Sequence, residues 1–180
     1  MKGVIFDRDG TLIKYKPYLY KVEDVELITG VKECLKKLKE KNILIFLHTN
    51  QSGVDRGFFT LKDVQKVNNR MLSLIGFDIL PFQELCIATD LVESCDSMRK
   101  PSPKFALHIM KKYNISNDNL FIVGDNISDV GAAIAANCNS IWFSSPWSIK
   151  SETSNISYNK LYKVNTFEEV TDIIVKDYVS

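Results

Sequence analysis

Short apolar runs and longer amphipathic stretches alternate along this chain. Val4–Phe6, Ile43–Leu47, Leu85–Ile87, Leu120–Val123 and Ile141–Phe143 are brief and bounded by polar residues, which predicts strands. Tyr162–Val164 predicts a weaker sixth. Between them the spacing turns helical. Val31, Leu35 and Leu38 form one stripe; Leu61, Val64, Val67, Met71 and Leu74 form a second; Ala106, Ile109, Met110 and Tyr113 form a third. Val130, Ala133 and Ile134 mark a short helix of small residues able to pack closely on a sheet, and Phe167, Val170, Ile173 and Ile174 mark a last one. Strands alternating with helices predict an α/β protein, a Rossmann-like three-layer fold with a largely parallel central sheet. The stripes themselves are most simply core. No repeat or linker interrupts the pattern, so one domain over residues 1–180 is expected, with the Ser- and Asn-rich segment Ser144–Asn159 as a surface loop.

Composition narrows the function classes. With 45% hydrophobic residues in 180, the chain can bury a core without disulfides. Lys and Arg number 23 against 22 Asp and Glu, a net charge of +1. That balance gives no electrostatic footprint for nucleic acid or an anionic membrane. The first apolar run stops at Asp7, no run is long enough to span a bilayer, and the four cysteines follow no framework spacing. The expectation is a cytoplasmic monomer without nucleic-acid or membrane partners.

The polar residues carry the chemistry. In open parallel sheets, ligands bind beyond the carboxyl ends of the strands. Three predicted strands run into polar clusters there: Asp7-Arg8-Asp9, Thr49-Asn50-Gln51 and Gly124-Asp125-Asn126. A fourth, Arg99-Lys100-Pro101, precedes a helix. Asp7 and Asp9 are two residues apart on extended backbone and so face one side. Carboxylates that close repel unless a cation or a shared proton intervenes. Asp125 adds oxygen ligands, the preference of magnesium. A carboxylate can also attack phosphorus as a nucleophile, while a second protonates the leaving oxygen and later activates water. Lys100, the Thr49 hydroxyl, backbone amides and the metal could neutralise the transferring phosphoryl group.

Each cluster also has a plainer reading. Asp-x-Asp-Gly is often a turn, Asp129 can cap the helix that follows it, and Arg99-Lys100 can be a solvated pair. His48 and His108 read as packing or surface residues. The ordered set of four clusters, each at a strand end or helix start, favours the chemical reading.

Together these motifs resemble the haloacid dehalogenase-like phosphatases. Phe6-Asp7-Arg8-Asp9-Gly10-Thr11 is similar to that family's first motif, Thr49-Asn50 to its second, Lys100 to its third and Gly124-Asp125-Asn126-Ile127-Ser128-Asp129 to its fourth. The resemblance implies Asp7 as nucleophile, Asp9 as general acid/base, and Thr49 and Lys100 as phosphate ligands. It implies Mg2+ held by Asp7, Asp125 and the Asp9 carbonyl, with Asn126 and Asp129 in support. Thr49-Asn50-Gln51-Ser52-Gly53-Val54, Arg56-Gly57 and Arg99-Lys100-Pro101 resemble more specifically the D-glycero-D-manno-heptose-1,7-bisphosphate phosphatases and their neighbours, the histidinol-phosphate phosphatases. That resemblance implies a small sugar bisphosphate as substrate, a heptose 1,7-bisphosphate cleaved at the 7-position, with histidinol phosphate as an alternative, contacted by Asn50, Gln51, Arg56 and Arg99. It also implies no large cap domain, since Thr11 to His48 leaves room only for a flap and a helix.

One feature departs from that pattern. These relatives usually carry a zinc loop of three cysteines and a histidine before Arg-Lys-Pro. Here Cys86 and Cys95 remain, but Ala88 and Ser97 stand where further ligands would fall. Two thiolates do not make a structural zinc site, so structural zinc is not expected. The shortened loop resembles that of polynucleotide 3′-phosphatases, an alternative substrate class that the balanced charge opposes. An inactive phospho-ligand binder is the non-enzyme alternative, opposed by the presence of every residue the chemistry needs.

Overall fold

The computed structural model describes residues 1–76, 81–91, 96–148 and 156–176. Six strands form one sheet: β1 (Gly3–Phe6), β2 (Leu44–Asn50), β3 (Glu84–Ala88), β4 (Leu120–Gly124), β5 (Asn139–Phe143) and β6 (Leu161–Val164). Their order is β3-β2-β1-β4-β5-β6 and every pairing is parallel. The helices are α1 (Val31–Glu40), α2 (Leu61–Ile75), α3 (Lys104–Tyr113), α4 (Ile127–Ala135) and α5 (Phe167–Lys176).

Strand alternation explains the three layers. Val4, Phe6, Ile45, Leu47, Phe121 and Val123 face one side, packed with α1, α2 and α5 residues such as Leu35, Met71 and Phe167. Ile5, Phe46 and Ile122 face the other, against Phe105 and Ile109 of α3 and Ala132 and Ala133 of α4. Central strands buried on both faces read as continuous apolar runs, as parallel sheets require. All six predicted strands and all five helical stripes therefore form.

Two expectations need adjustment. β2 extends to Asn50 rather than ending at Leu47, because its pairing with β3 continues through Thr49↔Ile87 and Asn50↔Ala88. The predicted surface loop after β5 is partly docked: Ser148 Oγ donates to the Gly10 carbonyl at 2.8 Å, and the Tyr15 amide donates to the Trp147 carbonyl at 3.0 Å. Val92, Glu93 and Cys95 of the expected shortened loop lie outside the described residues, as do residues 149–155 of the loop after β5.

Between β1 and α1 the chain forms a flap, tied by Ile13 bridging Leu27 and by Lys14 N–H donating to Glu26 O at 2.9 Å. Its aromatics meet the turn before α2. Tyr18 sits edge-on to Phe58 with ring centroids 4.7 Å apart, and Tyr20 stacks on Phe59 at 6.2 Å. β1 has β2 on one side and β4 on the other, so the crossovers leave it in opposite directions. The crevice this opens lies at the carboxyl end of β1.

Candidate active site

Asp7 is the first residue past β1, its amide still bonded to the Val123 carbonyl at 2.8 Å. Its carboxylate is buried on the floor of a cavity of about 350 Å³. Lys100, 3% exposed, reaches it from the loop before α3. The Lys100 Nζ donates to Asp7 Oδ1 at 2.6 Å, to Asp129 Oδ1 at 2.6 Å and to the His48 carbonyl at 2.8 Å. Asp7, Asp125 and Asp129, all buried, each offer an oxygen within 4.8 Å of the others.

Local sequence accounts for each placement. Gly10 has φ 82, and a side chain there would begin 2.0 Å from Asp125 Oδ2, so only glycine lets the acidic loop close over β4. Asn126 caps α4 by accepting from the Ser128 amide at 3.0 Å, while the Asn126 amide donates to Asp129 Oδ2 at 3.1 Å. Asp129, in the first turn of α4, closes that capping box through Oδ2 and accepts from Lys100 through Oδ1. Gly131 lets α4 approach the Lys100 loop, since a Cβ there would lie 2.8 Å from Pro101 Cβ.

The electrostatics are unbalanced. Burial pushes the Asp7 carboxyl up to about 7; Lys100 opposes the rise, and Asp129 and Asp9 add to it. Burial disfavours the Lys100 ammonium, yet Asp129 and Asp7 hold it above the ordinary lysine range. The two shifts agree in meaning: several carboxylates crowd one lysine. The excess negative charge, with only oxygen donors in reach, fits a hard divalent cation. His48 is pushed down to about 3 by burial and then by Lys100, so at neutral pH its ring is uncharged. Its Nε2 lies 2.9 Å from the Met98 carbonyl and pins the Lys100 loop to β2.

Asp9 stands apart from this group. Its carboxylate accepts from Arg8 through Nε at 2.9 Å and Nη2 at 3.1 Å, from Gln51 Nε2 at 2.9 Å and from Thr49 Oγ1 at 3.4 Å. It lines the cavity with Asp7, Thr49, Lys100, Asp125 and Asn126, but its side chain is outside the three-carboxylate cluster.

Of the expected substrate contacts, Asn50, Gln51 and Arg99 line the cavity and Arg56 does not. Asn50 also clamps the backbone of Lys100 in both directions at 3.0 Å. Gln51 lines the cavity, but its Nε2 is engaged by Asp9 and, at 2.8 Å, by Thr49 Oγ1. Arg56 is exposed and is not among the cavity-lining residues; the turn after Gln51 carries it outward. Arg99 does line the cavity, and its Nη1 is buried without a hydrogen-bond partner among the described residues. Cys86 is half-buried on β3, and burial pushes its thiol up to about 11. His108 faces Glu84 at 2.9 Å on the surface.

Tyr15, Tyr18, Leu19 and Phe59 also line the cavity and were not singled out from sequence. Apolar and aromatic residues in a flap carry no period that would mark them. Arg8 is likewise unanticipated, although an arginine between two aspartates at the end of an apolar strand signals by its position that a buried charge needs partners.

Residues 14–143 match the model of the haloacid dehalogenase-like hydrolases. The chain is 32% identical over 135 residues to the D-glycero-alpha-D-manno-heptose-1,7-bisphosphate 7-phosphatase of Campylobacter jejuni, covering 75% of this chain and 77% of that protein. It is also 32% identical over 142 residues to the D-glycero-beta-D-manno-heptose-1,7-bisphosphate 7-phosphatase of Helicobacter pylori, covering 75% and 79%. Among solved structures, a D,D-heptose 1,7-bisphosphate phosphatase from B. bronchiseptica, complexed with magnesium and phosphate, superposes with a TM-score of 0.86 at 20% identity. The match covers 98% of this chain and 99% of that one.

Proposed function

The chain belongs to the haloacid dehalogenase-like hydrolase family and is a phosphatase, and we propose that it removes the 7-phosphate of a D-glycero-D-manno-heptose 1,7-bisphosphate through an aspartyl-phosphate on Asp7. One observation carries the mechanism: a buried carboxylate at the floor of the cavity has one oxygen held by Lys100, so the other is aimed by a fixed side chain. The substrate assignment rests on relatives named for both the alpha and the beta sugar, which leaves the anomer open.

In this reading Asp7 attacks phosphorus and Asp9 gives a proton to the departing sugar oxygen. Asp9 then takes a proton from the water that hydrolyses the adduct. Lys100 and Thr49 face the phosphoryl oxygens, and the unpartnered Arg99 Nη1 suits the second phosphate. Asp7 and Asp125 are the residues that would hold magnesium, with Asp129 beside them in the same cluster of carboxylate oxygens. When bound, magnesium supplies positive charge beside the transferring group. The Asp9 carbonyl remains its further candidate ligand. The protein is expected to act as a monomer in the cytoplasm, where thiols such as Cys34, Cys86 and Cys138 stay free.

The test is phosphate release from heptose 1,7-bisphosphate beside a panel of phosphorylated metabolites, including histidinol phosphate and a 3′-phosphorylated oligonucleotide. Heptose 1-phosphate should be the product, and turnover should stop with a chelator and return with magnesium. A tenfold preference for another panel member would overturn the substrate, and full activity in excess chelator would overturn the metal.

A further inference from the structure

We infer that Arg8 and Asn68 form a buried relay, anchored in helix α2, that fixes the orientation of the Asp9 carboxylate and so positions it for proton transfer. This rests on Asp9 being the proton donor in the reading above. Arg8 is 0% exposed and stands in the turn that follows β1. All three of its guanidinium nitrogens are engaged. Nε and Nη2 grip the two Asp9 oxygens, and Nη1 donates to Asn68 Oδ1 at 2.9 Å. Asn68 is 4% exposed and sits in the apolar stripe of α2, beside Val64, Val67 and Met71. A polar residue there weakens the stripe, and the arginine is the hydrogen-bond partner that accounts for it.

The geometry does more than neutralise charge. A planar fork on a carboxylate fixes its rotation as well as its position. Among the described residues, Asp9 Oδ2 accepts from Arg8, Gln51 and Thr49, while Oδ1 accepts from Arg8 alone. Oδ1 is therefore the oxygen with fewer partners, and in this proposal the transferred proton leaves from it. As the Asp7–phosphorus bond forms and the phosphorus–oxygen bond breaks, that proton goes to the leaving oxygen. The water that later attacks phosphorus returns one to Asp9. Arg8 borders the cavity and Asn68 does not, and both act through Asp9.

A positioning role predicts a leaving-group signature that a purely structural role does not. Protonation matters for an alkyl phosphate and little for p-nitrophenyl phosphate, whose leaving group departs as an anion. Asn68→Leu keeps the shape of the site but removes the acceptor for Nη1. It should lower kcat/KM for an alkyl phosphate about tenfold and that for p-nitrophenyl phosphate less than about twofold. Asn68→Asp, which keeps an acceptor oxygen, should restore the wild-type ratio. Arg8→Lys, which loses the fork, should reproduce the selective loss should Asn68→Leu fail to fold. Asp9→Asn is the control: if its own loss is equal on both esters, the assignment of Asp9 as proton donor is wrong. If Asp9→Asn is selective but Asn68→Leu or Arg8→Lys is not, the relay is overturned.

Discussion

Asp7 ends an apolar strand with its carboxylate among two others, and one buried lysine answers that charge. Burial is the main reason its proton is held to about pH 7, so the side chain costs stability where it stands. Asp7→Asn should therefore lower turnover at least about a thousandfold while leaving the metal-free melting temperature unchanged or raised. Scanning calorimetry checks it, and a fall of several degrees would show that the carboxylate is structural. His48 gives a pH prediction of definite sign. Its folded pKa, about 3, lies below the unfolded value of 6.5, so the unfolded chain binds the extra proton. Stability should then be intact above pH 6.5 and fall as pH drops toward 3. His48→Gln should flatten that limb in urea titrations run across the range, and an unchanged slope would exclude His48 as its source. At this scale the sequence revealed which residues gather but not how each is used. Thr49, Lys100 and Asp125 were legible because they stand at strand ends or helix starts. That Asn50 also holds the Lys100 backbone was not, because an amide at a strand end suits a ligand and a neighbouring loop equally.

The elements form for local reasons that can be tested separately from the chemistry. α2 begins with a capping box in which Thr60 Oγ1 accepts from the Asp63 amide at 3.3 Å and the Thr60 amide donates to Asp63 Oδ2 at 3.1 Å. Thr60→Ala removes one half and should cost about 1 kcal/mol in denaturant unfolding, with kcat unchanged because Thr60 is exposed and outside the cavity. A loss below a few tenths of that would mean the cap is replaced by water. Strands and stripes were legible because periods of two and 3.6 are written in the apolar residues themselves. The flap was legible only as a length of chain. Its register depends on single backbone bridges at Ile13 and Leu27, which no side-chain period records. Likewise β2 was read too short, since Thr49 and Asn50 are polar and only the partner strand reveals that pairing continues.

Across the molecule, the near-zero net charge conceals a local excess of negative charge at one end of the sheet. That end is assembled from residues far apart in the chain: β1 lies between β2 and β4, and Lys100 Nζ meets Asp7 across 93 positions. Such topology builds the site only when most long-range pairings exist. It also sets a timetable. Ribosomes add about 5–20 residues each second, so Asp7 precedes Asp125 by roughly ten seconds. Until residues 120–124 emerge, β1 lacks one of its two neighbours and presents an unpaired apolar edge. Until then the nascent chain is without its acidic partners and open to stray strand pairing.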